Sequence, residues 1–367
     1  RSMKAYVVDS AAVRSNLQIL KERAGSAVLW AVLKGDGYGL GLVQMAAICR
    51  ESSVTHFAVT ELSEVSRLHA GGFQDCDILM LRPTADADEL TQLLNLGAIL
   101  TVSSQNDAAV LNGVAEKLGM QAQVHIKIDT GMNRIGVRTE EELSAVLDAV
   151  AKCPHVRITG ALTHFATADV PESDFGGEQI PRFERMTALM RARGLNFERH
   201  AAASAAAVRY PQARYDRVRA GIVMYGIDPL GQLDVRPALR WTTRVSYVKT
   251  IEPGDTVSYG RRFTAARPTR IATLPVGYAD GYRRSFSNRA QVLLHGRRVP
   301  VVGSVCMDQV MVDATGLDVQ MGDEAVLIGR QGEEEISCCE LAQLDGTIPY
   351  EIMTGISARV PRVYEQQ

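Results

Sequence analysis

Eight short apolar runs, each separated from the next by a stretch long enough for a helix, fill the first 225 residues and leave few folds open to them. The runs cover residues 29–33, 56–60, 77–81, 98–102, 124–128, 158–163, 197–203 and 217–222. Strands that alternate with helices pair in parallel, because each connection must carry the chain back over the sheet before the next strand starts. Eight such units in about 200 to 250 residues are expected to close into a (β/α)8, TIM-like barrel. The rival is an open doubly wound sheet, which carries a GxGxxG turn after its first strand. Here Gly35-Asp36-Gly37-Tyr38-Gly39-Leu40-Gly41 does not keep that spacing. The connecting stretches read as helices too: Thr60 stands where a cap belongs, Leu62, Val65 and Leu68 share one face, and Gly71-Gly72 stops the pattern.

Past Gly226 the texture changes. Short runs at 245–248, 271–274, 292–294, 299–301, 310–312 and 325–328 are broken by Gly, Pro and Asp, with one helical segment at 338–344. This half reads as mostly antiparallel β. The turn residues Pro229-Leu230-Gly231 mark the boundary, giving a barrel over 9–230 and a C-terminal β domain over 231–367, which residues 3–8 are expected to join as an extra strand. A net charge of -2 with 22% charged residues excludes an electrostatic footprint for nucleic acid or an acidic membrane surface, so the expected partner is a small molecule or a second copy. Cysteines at 49, 76, 153, 306, 338 and 339 form no CxxC pair and no metal-ligand spacing, as suits buried thiols in a reducing, cytoplasmic setting. No apolar stretch approaches the roughly 18 residues of a membrane span. Arg1-Ser2-Met3 reads as a tag remnant, which leaves open a further domain upstream.

In a barrel, chemistry gathers at the carboxyl ends of the strands. Polar residues stand at those ends here: Lys34 after the first run, Lys127 and Asp129 with Arg134 after the fifth, His164 after the sixth, Ser204 after the seventh and Gly221-Ile222 after the eighth. The ends of the last two strands are the recurrent phosphate site of barrels, and Ser204 with the Gly221 and Ile222 amides would supply donors. A lysine able to bond an aldehyde, on the same face as a phosphate cradle, points to pyridoxal 5'-phosphate.

Eight motifs in order extend this across the chain: Ala31-Val32-Leu33-Lys34-Gly35-Asp36-Gly37-Tyr38-Gly39, Lys127-Ile128-Asp129-Thr130-Gly131-Met132-Asn133-Arg134-Ile135-Gly136, Thr163-His164-Phe165-Ala166, Arg219-Ala220-Gly221-Ile222, Val257-Ser258-Tyr259-Gly260, Gly277-Tyr278-Ala279-Asp280-Gly281, Cys306-Met307-Asp308-Gln309 and Tyr350-Glu351. With them the chain closely resembles the alanine racemase family over nearly its whole length. The resemblance implies racemisation of L-alanine to D-alanine for bacterial cell-wall peptidoglycan, in a homodimer with two composite sites. Lys34 is then the cofactor-bearing lysine and the base on one face of the substrate. Tyr259, from the partner subunit, is the base on the other. Tyr38, Ser204, Gly221, Ile222 and Tyr350 match the phosphate-holding positions, His164 the cofactor ring, and Arg219 the partner of its nitrogen. Arg134 and Met307 match the receivers of the substrate carboxylate and the ring oxygen, Tyr278 and Asp308 fall on the substrate side, and Lys127 occupies a position often carbamylated in relatives. No metal is implied.

The residue chemistry agrees with these roles. Inverting Cα requires a proton to leave one face and another to arrive at the opposite face, so two opposed groups are needed. Lys34 must lose its proton below the usual ammonium pKa, and Tyr259 needs cationic neighbours to act as an anion. The chain departs from the family pattern at Ala203, where an asparagine is usual, and this bears on substrate preference. Other readings share part of the pattern. A serine-preferring or broad-specificity racemase, or the racemase domain of a membrane-bound resistance protein, would carry the same residues. A pyridoxal-phosphate-dependent decarboxylase would place an acid where this chain has Arg219, and a non-enzymatic carrier of the cofactor would lack the C-terminal domain and Tyr259.

Overall fold

After an initial strand, β1 (Lys4–Asp9), the eight runs become eight parallel strands: β2 (Val28–Val32), β3 (His56–Val59), β4 (Asp77–Met80), β5 (Leu100–Val102), β6 (Ala122–Lys127), β7 (Val156–Leu162), β8 (Glu198–His200) and β9 (Arg217–Ala220). A computed structural model describes residues 2–366, so Arg1 of the expected remnant and Gln367 lie outside the described residues. The strands follow one another in the order β4-β3-β2-β9-β8-β7-β6-β5. The remaining seam is closed by a parallel bridge between Leu79 and Ile99, with Ile99 N–H donating to Ile78 at 2.8 Å and Met80 N–H to Ile99 at 2.9 Å. This is the expected barrel. Strands β2 to β5 are mostly apolar because side chains fill the interior while helices cover the exterior, whereas β8 (Glu198–His200) and β9 (Arg217–Ala220) carry charged and histidine side chains.

Interior packing pairs large with small. His125 on β6 sits opposite Gly160 on β7, and its ring also meets Trp30 edge-on at 6.2 Å and His200 at 5.1 Å. A Cβ at Gly160 would stand 2.6 Å from three atoms of the His125 ring. Gly160→Ala is therefore expected to destabilise the barrel by about 1–3 kcal/mol, measured by urea unfolding. Combined with His125→Ala the two losses should be strongly non-additive, since the clash disappears, and an additive pair would rule out this cause.

Local details differ from the sequence expectations. Glu61, not Thr60, caps the helix Leu62–Ala70, because the Glu64 carboxylate reaches back to accept the Thr60 and Glu61 N–H groups at 3.0 and 3.1 Å. The last barrel strand stops at Ala220, with Gly221 turning the chain into a short 3-10 segment, Ile222–Tyr225.

The barrel unit comprises residues 14–37 and 42–236, and the second unit holds, of the described residues, 2–13, 38–41 and 237–366. In the second unit the strands are β10 (Leu239–Arg244), β11 (Tyr247–Ile251), β12 (Thr256–Val257), β13 (Phe263–Thr264), β14 (Thr269–Leu274), β15 (Gln291–Leu294), β16 (Arg297–Pro300), β17 (Val310–Asp313), β18 (Glu324–Gln331), β19 (Glu334–Ile336) and β20 (Arg362–Glu365). They are mostly antiparallel, as expected. β1 lies between β10 and β20, antiparallel to one and parallel to the other, so the N-terminal strand completes this sheet from the opposite end of the chain.

Three expectations need correction here. The run 245–248 is not one strand: β10 ends at Arg244 and β11 begins at Tyr247, with Val245 turning inward against Asp323 and Ser246 bonding Thr273. The helix Cys338–Asp345 is joined by a second, Pro349–Thr354, too short to show a period and started by proline at its first turn. The thiols are not uniformly buried, since Cys339 is exposed and Cys306 half-buried, though all six are free. Among the described residues no helix is long and apolar enough to cross a membrane.

Candidate active site

The chain leaves β2 into a tight left-handed turn. Gly35, Asp36 and Gly37 have φ of 64°, 55° and 64°, and Gly37 N–H returns to Leu33 at 2.8 Å. Left-handed backbone penalises a Cβ, which explains two glycines around an aspartate. Asp36 tolerates it by accepting from the Leu42 N–H at 2.9 Å and from Arg67 at 3.0 Å. Lys34 begins this turn and is only partly exposed.

Electrostatics show which barrel residues share one neighbourhood. Burial lowers the Lys34 pKa first, then Arg134 and Arg219, with Glu64 opposing. Burial, Arg219 and Arg134 bring Lys127 to about 7 against Asp129, which leaves a substantial neutral-amine fraction at neutral pH. His164 is held well below its usual value by burial and then by Arg219, Lys127, Arg134 and Lys34, so its ring is neutral. Four strand ends and one loop thus bring together Lys34, Lys127, Arg134, His164 and Arg219, opposed chiefly by Glu64 and Asp129. The pocket is built to receive anions.

Hydrogen bonds fix these groups. Arg219, 4% exposed, donates to Thr163 O at 2.8 Å, Ala201 O at 3.0 Å, His164 Nδ1 at 3.2 Å and His200 Nδ1 at 2.8 Å. Asp129 accepts from the Gly131 and Asn133 N–H groups at 2.9 and 3.0 Å, which shapes the loop leading to Arg134. Ser204 Oγ accepts the Gly221 N–H at 2.8 Å. Of the two amides expected to cradle a phosphate, Gly221's is thus already engaged, leaving the Ser204 hydroxyl proton and the Ile222 N–H. Ala203, half-buried, gives the helix Ser204–Arg209 no side-chain cap.

Sequence reasoning missed Gln179. It is fully buried, accepts the Ala166 N–H at 3.1 Å, and donates to His164 O at 2.9 Å and Thr130 Oγ1 at 3.0 Å, tying two site loops together. Its signal was a glutamine sharing a helix face with Phe183, Met186 and Met190. His200 was missed too, although it directly precedes the alanine run before Ser204.

In the second unit, Tyr38 and Tyr350 lie with ring centres 6.0 Å apart. Tyr259 is 74% exposed. It follows Ser258, whose φ of 67° and ψ of −176° are nearly confined to glycine. That strain is held by Ser258 Oγ donating to Ser304 O at 2.6 Å and Ser304 Oγ donating to Tyr259 O at 2.9 Å. Tyr278 N–H and Ala279 N–H donate to Cys306 O and Met307 O, both at 3.0 Å, so Tyr278 and Met307 are neighbours in interlocked loops. The Asp308 carboxylate is taken by Arg359 at 2.7 Å, and Arg359 also grips the buried Asp280.

Residues 8–229 match the family model for the alanine racemase N-terminal domain and residues 238–364 that for the C-terminal domain. The chain belongs to the alanine racemase family. It is 44% identical to the alanine racemase of Symbiobacterium thermophilum, over 97% of this chain and 96% of the relative. Its fold matches the alanine racemase of Bacillus anthracis with bound L-Ala-P at a TM-score of 0.94 and 34% identity, covering 100% of this chain and 96% of that one. It also matches alanine racemase from Bartonella henselae with covalently bound pyridoxal phosphate at a TM-score of 0.90 and 27% identity, covering both chains fully. The chain is an alanine racemase that interconverts L- and D-alanine, and the family's cofactor is pyridoxal 5'-phosphate. The basic pocket fits that group: Lys34 offers an amine below its usual pKa, Arg219 a fixed donor for a ring nitrogen, and Ser204 with Ile222 donors for a phosphate.

Proposed function

We propose that Lys34 and Tyr259 exchange protons with opposite faces of the alanine Cα, and that each site is completed by Tyr259 of a second copy. The observation that carries this is Lys34 itself, held below the ordinary ammonium range by burial and two arginines. When bound, the cofactor supplies an aldehyde for attachment and an electron-accepting ring that makes the Cα proton labile. Lys34 Nζ carries the attachment and takes or returns the proton on its own face. Arg219 can only donate, so it leaves a ring nitrogen unprotonated and limits electron withdrawal, which disfavours side reactions. Arg134 receives the substrate carboxylate, with Met307, Tyr278 and Asp308 on the substrate side. Tyr38, Tyr350, Ser204 and Ile222 hold the phosphate, with Gly221 N–H orienting the Ser204 hydroxyl, and His164 lies against the ring. Lys127, with its partly neutral amine, can form an N–C bond to CO2 while releasing one N–H proton to solvent, and the resulting carboxylate would neutralise the cations around it. Free cysteines support a cytoplasmic setting.

A composite dimer predicts complementation. When an inactive Lys34→Ala protein is unfolded and refolded with an inactive Tyr259→Phe protein, half of the dimers are mixed and each mixed dimer regains one intact site. The mixture should recover about a quarter of the parent activity, read by D-alanine formation. No recovery, with mixed dimers verified by mass, would place both residues of a site in one subunit.

A further inference from the structure

A cleft of about 1360 Å³ opens at the amino ends of the barrel strands, the end away from Lys34, beside the starts of β6, β7, β8 and β9. Three polar atoms on its lining are buried without a partner: Trp30 Nε1, Thr159 Oγ1 and Arg217 Nη1. Trp30 is only 2% exposed. The barrel's amino end is ordinarily a place for packing, and buried polar groups without partners are costly.

A fourth donor follows from the hydrogen bonds of the core. Arg219 Nη1 lies 2.8 Å from His200 Nδ1, and a guanidinium has no acceptor, so Nδ1 accepts. Burial and then Arg219 hold His200 well below its usual pKa, while burial and then Arg217 bring His125 to about 4, so both rings are neutral at pH 7. The proton of His200 is therefore on Nε2, which donates to His125 Nδ1 at 2.9 Å. That leaves the proton of His125 on Nε2, on a ring that lines the cleft. The tautomers run in one direction from Arg219 to the cleft.

The charges lean the same way. Glu198 is held by Arg217 at 2.8 and 3.0 Å, Asp77 by His56 at 3.0 Å, and Asp216 accepts the Arg199 N–H at 2.8 Å. Arg193 is matched by Asp148 at 2.6 Å. Arg157 has no carboxylate within salt-bridge distance among the described residues, and Arg191 lies over the Phe197 ring at 4.7 Å. The carboxylates are engaged, and donors and cations remain.

We propose that this cleft binds a small oxygen-rich anion, a carboxylate or a phosphate, which accepts from Trp30, Thr159, His125 and Arg217 and is felt at Arg219 through His125 and His200. An anion accepting from His125 makes Nδ1 of that ring a stronger acceptor, and each link polarises the next.

The test is calorimetric titration of the holoenzyme with succinate and, separately, with phosphate, each with and without saturating alanine. Saturable binding that alanine does not displace is expected, weakened about tenfold or more by Trp30→Phe and by Thr159→Val, each of which removes one donor. Succinate alone binding assigns a carboxylate, and phosphate alone a phosphate. The occupied cleft should change kcat for alanine about fivefold or more, an effect that Trp30→Phe removes. No saturable binding of either anion up to about 10 mM, displacement by alanine, or equal binding to both variants would overturn the site. Binding that leaves kcat unchanged would overturn the coupling to Arg219. That coupling rests on the Arg219 role proposed above, whereas the binding arm does not, so the two fail separately.

Discussion

Lys34→Ala is expected to lower kcat for both directions by about a thousandfold or more, because one substitution removes both the attachment point and a base. The pocket should survive the change. Lys34 contributes a disfavoured buried cation, so its loss relieves repulsion with Arg134 and Arg219, and the thermal midpoint is expected to stay level or rise. Two further readouts separate chemistry from collapse. Borohydride reduction of the parent holoenzyme should fix the cofactor on the peptide that contains Lys34, and on no peptide of the variant. Added ethylamine should restore part of the activity, since a free amine can enter the vacated space and take up a proton on that face. Unreduced turnover in Lys34→Ala, or cofactor trapped on another lysine such as Lys127, would remove the basis of the assignment.

Tyr259→Phe has the second largest expected effect, a loss of about 10²- to 10⁴-fold in racemisation, the range for a single acid–base group. Its signature is asymmetry. In deuterium oxide the variant should still exchange the Cα proton of the enantiomer whose proton faces Lys34, while exchange from the other enantiomer falls with racemisation. Equal loss of exchange from both enantiomers would reject the two-base arrangement. The surroundings of Tyr259 favour a group held for use: it is 74% exposed, yet its backbone is fixed through Ser304 and the strained Ser258.

Much of the architecture is legible from residue order. Most of the parallel strands are buried on both faces and so appear as apolar runs, and their regular alternation with helix-length stretches located the barrel strands, including β8 and β9, whose Glu198, Arg199, Arg217 and Arg219 interrupt the pattern. Polar residues at the ends of such runs fall at the carboxyl ends, which is why Lys34, Lys127, His164 and Ser204 could be grouped from residue order. Positions governed by a second segment were less visible. Thr60 lost the cap to Glu61 because Glu64 folds back on the turn. The run 245–248 straddles a break between two strands that belong to different sheets. Tyr350 lies on a helix of six residues, too brief for a 3.6-residue period to register. Ser258 carries no local mark of its role, and Gln179 only that of a polar residue on an apolar helix face, since each acts through partners distant in sequence.

What residue order alone determined is the alternation of strand and helix, the placement of basic residues after the strands and the ordered motifs, because these depend on period, spacing and side-chain type. Tertiary structure decided the state of those residues. Lys34 and Lys127 are ordinary lysines until burial and two arginines crowd them, and Arg219 becomes a fixed donor only when Thr163, His164, His200 and Ala201 close around it. The unmet donors at the barrel's amino end belong to the same category. Desolvation and hydrogen-bond direction depend on which segments meet in space, and linear order does not contain that distance.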